Sequence, residues 1–78
     1  MSSTAELRDE AVLRYVAYNS RAKRDTAVTL GHGQASLGRL LKAGLVEADL
    51  EFSGCLALTE AGTRHIAVID EWPPEGEP

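Results

Sequence analysis

Arg39 and Lys42, with Gln34 and Ser36 one to two turns before them, are the residues of this 78-residue chain whose types and spacing suit a specific chemistry. That chemistry is non-covalent. A guanidinium presents a planar fork that matches the acceptor pair on a guanine edge, a carboxamide matches adenine, and an ammonium serves a phosphate oxygen. Covalent chemistry has no comparable support. The sequence holds one cysteine, Cys55, and two widely separated histidines, His32 and His65, so no metal-ligand spacing and no internal disulfide exist. No nucleophile stands with a base and an orienting carboxylate, so catalytic, metal and cofactor sites are not expected, nor is an enzyme. Gly31-His32-Gly33 lacks the Gly-Lys-Ser/Thr ending of a phosphate-binding loop and reads as a turn. Cys55 reads as a small buried hydrophobe.

The element that must position these groups is a helix over 34–43. Leu37, Leu40 and Leu41 recur at three-and-four spacing and form its core side, with Gly44 where a helix can end. The opposite side carries Ala35, Ser36, Gly38, Arg39 and Lys42, two small residues, a hydroxyl and two cations without an acid. Such a face can approach a phosphate backbone closely. An extended run from Leu45 to Leu50, the turn Glu51-Phe52-Ser53-Gly54 and a second run from Cys55 then predict an antiparallel hairpin, residues 45 to 50 against 55 to 59.

Upstream, residues 4 to 18 read as a helix with Thr4 as N-cap and two adjoining apolar stripes, Leu7-Ala11-Tyr15-Tyr18 and Ala5-Val12-Val16. Such a broad apolar surface fits either a helix wrapped on two sides by a small domain or one that also meets a second subunit. The polar connection Arg21-Ala22-Lys23-Arg24 fits either a solvated loop or a phosphate clamp. Downstream, Thr59 reads as the N-cap of a last helix lined by Ile66, Ile69 and Trp72 and stopped by Pro73-Pro74.

The run Leu40-Leu41-Lys42-Ala43-Gly44-Leu45-Val46-Glu47, followed by Leu58-Thr59-Glu60-Ala61-Gly62, resembles the winged helix-turn-helix DNA-binding domains of MarR-type and PadR-type bacterial, archaeal or phage regulators. The span from Lys23 to Lys42 is similar to the general helix-turn-helix pattern. Ala27 falls at its small position, Gly31 at the turn position that favours positive φ, and Leu30, Leu37 and Leu40 at its pinning positions; Thr26 and His32 depart from it. The resemblance implies a mainly α fold with a small β-hairpin (α+β), three helices plus a two-stranded wing. It further implies a sequence-specific transcription regulator with helix 34–43 in the major groove of double-stranded DNA. Gln34, Ser36 and Arg39 then reach base edges, Lys42, Arg21, Lys23 and Arg24 reach phosphates, and His32 lies in the same contact set. Asp49 and Glu51, in the wing, favour an alternative: a winged-helix protein-interaction module that does not bind DNA.

Composition bounds these readings. Hydrophobic residues at 44% and charged residues at 26% suit one globular domain, taken as residues 1–74 with an acidic, proline-containing tail at 75–78. No apolar run nears the roughly 18 residues of a membrane span, and the first residues lack a secretory pattern, so a cytoplasmic location is expected. The net charge of −4 is unevenly spread: residues 21 to 42 sum to +4, whereas residues 43 to 78 set Arg64 against eight acids. A core this small favours a homodimer, for which Tyr15, Tyr18, Ile69 and Trp72 offer apolar surface near helix ends.

Overall fold

A computed structural model describes residues 4 to 70. The order is α1 (Thr4–Tyr18), β1 (Ala22–Lys23), α2 (Arg24–Leu30), α3 (Gln34–Lys42), β2 (Val46–Ala48), β3 (Cys55–Leu58) and α4 (Glu60–Asp70). The three strands form one antiparallel sheet in the order β1-β3-β2, so the described residues make a mixed α+β fold. Both counts exceed the expectation of three helices and a two-stranded wing. The helix-turn-helix span supplies two separate helices beside α1 and α4. The extra strand comes from the basic connection, where Ala22 is fully buried and pairs with Leu56 while Lys23 pairs with Cys55. Two residues are too short to show an alternating pattern, and the flanking charges hide the one apolar side chain between them.

The hairpin forms in the expected sense. Val46 faces Leu58, Glu47 faces Ala57 and Ala48 faces Leu56, with the Asp49 N–H donating to the Cys55 carbonyl at 3.0 Å. Leu50 lies beyond the ladder and is wholly exposed, and Cys55 is only half-buried rather than a core residue.

The core draws on every element. Val12, Leu13 and Val16 of α1 meet Ala27 of α2, Leu37 and Leu40 of α3, Val46 and Leu56 of the sheet and Ile66 of α4. On α1 the buried face is therefore the 12–13–16 face. Leu7 is 56% and Tyr18 50% exposed, so the two ends of the other stripe look outward while Tyr15 between them packs against the core. Two adjacent apolar stripes cannot be ranked from one helix alone, because which of them is covered depends on where α2, α3 and α4 pack.

Helix ends fix the path between elements. At the end of α3 the Leu45 N–H donates to the Leu40 carbonyl and the Gly44 N–H to that of Leu41, with Gly44 at φ +75. This is the paired closure that glycine favours after a helix. Thr59 caps α4: its hydroxyl accepts from the Gly62 N–H at 2.9 Å and donates to the Gly44 carbonyl at 2.5 Å. One threonine thus ties the start of α4 to the end of α3. Gly62 completes the joint, since a Cβ there would run into the Leu45 carbonyl oxygen and the Leu58 side chain.

Candidate functional site

The joint between α2 and α3 sets the direction of α3. The Gly33 N–H donates to the Val28 carbonyl at 2.9 Å and the His32 N–H to that of Thr29 at 3.1 Å. His32, not Gly31, takes the left-handed position, at φ 56, while Gly31 has φ −83. The expected reason for a glycine at 31 is thereby corrected. Gly31 is required by close approach, because a Cβ there would lie 2.9 Å from the Ser36 Cβ and 3.2 Å from Val12 Cγ2. Of the three expected pinning residues, Leu37 and Leu40 are buried but Leu30 is 39% exposed, and Val28 packs against the core from α2 instead.

On α3 the solvent face carries Gln34, Ala35, Gly38, Arg39 and Lys42, all exposed and none acidic. Ser36 is not among them. It is 1% exposed and sits under the α2–α3 joint, so its placement at base edges is corrected. Position 36 lies at the border of the two faces of a short helix, and the close approach of Gly31 to it decides its side. Lys42 occupies the last turn, where its charge also suits the helix dipole.

Arg39 does not stand alone. Its Nε donates to Asp9 Oδ2 at 2.8 Å and its Nη2 to Asp9 Oδ1 at 2.7 Å, with a longer Nη2 contact of 3.3 Å to Ser36 Oγ. The hydrogen bond from Arg39 holds the Asp9 carboxyl below its ordinary pKa, against the opposing effect of its partial burial. The same bond raises the guanidinium pKa. Asp9 is thus a site residue that sequence reasoning missed. It lies 30 residues from Arg39, and no local periodicity joins them. Beside this pair a cleft of about 360 Å³ runs between α1, the end of α3 and α4, lined by Glu6, Glu10, Leu40, His65 and Ile69 among others.

The basic triplet lies elsewhere. Arg21, Lys23 and Arg24 are exposed and are placed against the hairpin turn: the Arg21 guanidinium stacks 4.2 Å from the Phe52 ring centre, and the Arg24 N–H donates to the Gly54 carbonyl at 2.9 Å. The Lys23 N–H donates to the Tyr15 hydroxyl at 2.9 Å. Asp49 turns inward on its own loop, accepting from the N–H groups of Glu51 and Phe52 at 2.8 and 3.1 Å. Glu51 and Glu47 remain exposed.

Of the residues expected at a dimer contact, Tyr18 is exposed, whereas Tyr15 and Ile69 are half-buried against the core of their own chain. Trp72 lies outside the described residues, as do the Pro73-Pro74 stop and the tail at 75–78. Among the described residues no group of three or more His, Cys, Asp or Glu is placed to hold a metal, and no helix is long and apolar enough to cross a membrane. The chain matches no family model, no curated protein and no solved structure.

Proposed function

We propose that this chain is a small winged helix-turn-helix domain that binds double-stranded DNA and regulates transcription, with α3 entering the major groove. The observation that carries the reading is the solvent face of α3, where Gln34, Arg39 and Lys42 flank the small residues Ala35 and Gly38 with no acid between them. The order helix, turn, helix, hairpin supports it, with the β2–β3 hairpin as the wing. Arg21, Lys23 and Arg24, against the turn of that hairpin, supply further phosphate contacts, and exposed His32 lies at the turn leading into α3. Asp49, held by its own turn, is less of an obstacle to a phosphate backbone than its bare charge implies. The protein works in the cytoplasm as a homodimer, whose twofold axis lets two copies of α3 meet successive grooves about 34 Å apart.

The test is a fluorescence titration with random and selected duplexes across a range of salt concentrations. Binding should weaken steeply with salt, and Lys42→Ala should lower the affinity for all duplexes alike and reduce the salt slope by about one. Absence of binding at low salt would remove the proposal. A protein-interaction module is the second reading, favoured by Leu50, which stands wholly exposed at the hairpin tip beside Glu51. Loss of a protein partner on Leu50→Ser, with no DNA bound by the parent, would favour it.

A further inference from the structure

The side chain best placed to read a base on α3 is the one that α1 holds. Asp9 grips the Nε and Nη2 edge of Arg39 with two short charge-assisted bonds, and Ser36 Oγ backs the same Nη2 from beneath. Arginine is a long side chain with many rotamers, and an exposed one loses much of that freedom when it binds. Here two elements restrict it in advance. Ser36 is itself immobilised, buried to 1% under the Gly31 turn, and Asp9 rides on α1, which contributes Val12, Leu13 and Val16 to the core. The guanidinium edge not turned to Asp9 is the end edge, where Nη2 also reaches Ser36 Oγ and Nη1 is left as the donor for guanine O6 or N7.

We propose that Asp9 is a positioning residue of the DNA interface: by clasping one edge of Arg39 it presents the other edge to a guanine, so that α1 sets the sequence preference of α3. The inference rests on the DNA-binding reading above. Asp9 is also a negative charge beside a surface that meets phosphates, which gives it two effects of opposite sign. It should raise discrimination between sequences and lower the affinity for DNA in general. A residue that only stabilised the fold would move both quantities together.

The experiment measures affinities of the full chain for a duplex selected from a random pool and for an unselected duplex, in the parent, Asp9→Ala, Arg39→Ala and the double variant, with melting temperatures recorded for each. Asp9→Ala is expected to reduce the ratio of the two affinities about tenfold while leaving binding to the unselected duplex equal or tighter. In the Arg39→Ala background the same change should cost no further discrimination, because Asp9 acts through Arg39. Asp9→Asn, which keeps the volume and removes the charge, serves if the alanine variant does not fold, with the same expectation in weaker form. Equal weakening of both duplexes, an undiminished ratio, or additive losses in the double variant would each overturn the role of Asp9. A parent with no preferred duplex would instead overturn the DNA-binding reading, and this inference with it.

Discussion

At the scale of single residues, the pairing of Asp9 with Arg39 makes a prediction that needs no ligand. Arg39 hydrogen bonding depresses the Asp9 pKa below its ordinary value of 3.8 in the folded chain. The unfolded chain therefore binds the proton more readily. The stabilisation is complete above the unfolded value and is lost as pH falls through the depressed folded value. Asp9→Ala should thus lower the melting temperature by a constant small amount from about pH 8 to about pH 5, and the difference from the parent should shrink below about pH 4. Thermal melts followed by circular dichroism read this directly. A difference that grew on acidification would contradict the pairing. The effect is small because Arg39 is 48% and Asp9 23% exposed, where solvent weakens an ion pair.

At the scale of elements, two glycines in helices give opposite expectations for one substitution. Gly62 lies in the first turn of α4 against the Leu45 carbonyl and Leu58, and a methyl group has no space there. Gly62→Ala should destabilise the protein by more than about 2 kcal/mol, the range for forced overpacking against backbone. Gly38 lies mid-helix on the outer face of α3, with nothing within 4 Å of an added Cβ. Gly38→Ala should stabilise by about 0.5–1 kcal/mol through backbone entropy. Urea denaturation of the two variants checks both signs, and a loss of stability in Gly38→Ala would mean that its outer position is wrong. The same contrast explains the Leu58-Thr59-Glu60-Ala61-Gly62 run physically: threonine for the cap, glycine for the close crossing.

At the scale of the whole molecule, the quantities that matter are exposed apolar area and the uneven charge. Leu7, Tyr18 and Val68, on α1 and α4, are at least half exposed. The homodimer proposed above should appear in sedimentation at high micromolar concentration, and Tyr18→Ser should shift it toward monomer. A parent that sediments only as monomer at that concentration would remove the twofold arrangement. Charge acts at longer range. On the DNA-binding reading proposed above, the cations of residues 21 to 42 would act locally within a chain at −4 overall, and affinity should depend strongly on salt.

What the sequence by itself determined is what neighbours along the chain can decide. The core face of α3 through Leu37 and Leu40, the left-handed stop at Gly44, the hairpin from Val46 to Leu58 and the Thr59 cap all follow from local periodicity, turn chemistry and capping. What only the tertiary structure decided depends on pairs far apart in sequence. The strand character of Ala22 needs Leu56 beside it, the need for glycine at 62 comes from the Leu45 carbonyl, and the burial of Ser36 goes with the close approach of Gly31. The clasp of Asp9 on Arg39 needs α1 to cross α3. A carboxylate and a guanidinium 30 residues apart leave no periodic trace, because their attraction acts through the space between two packed helices.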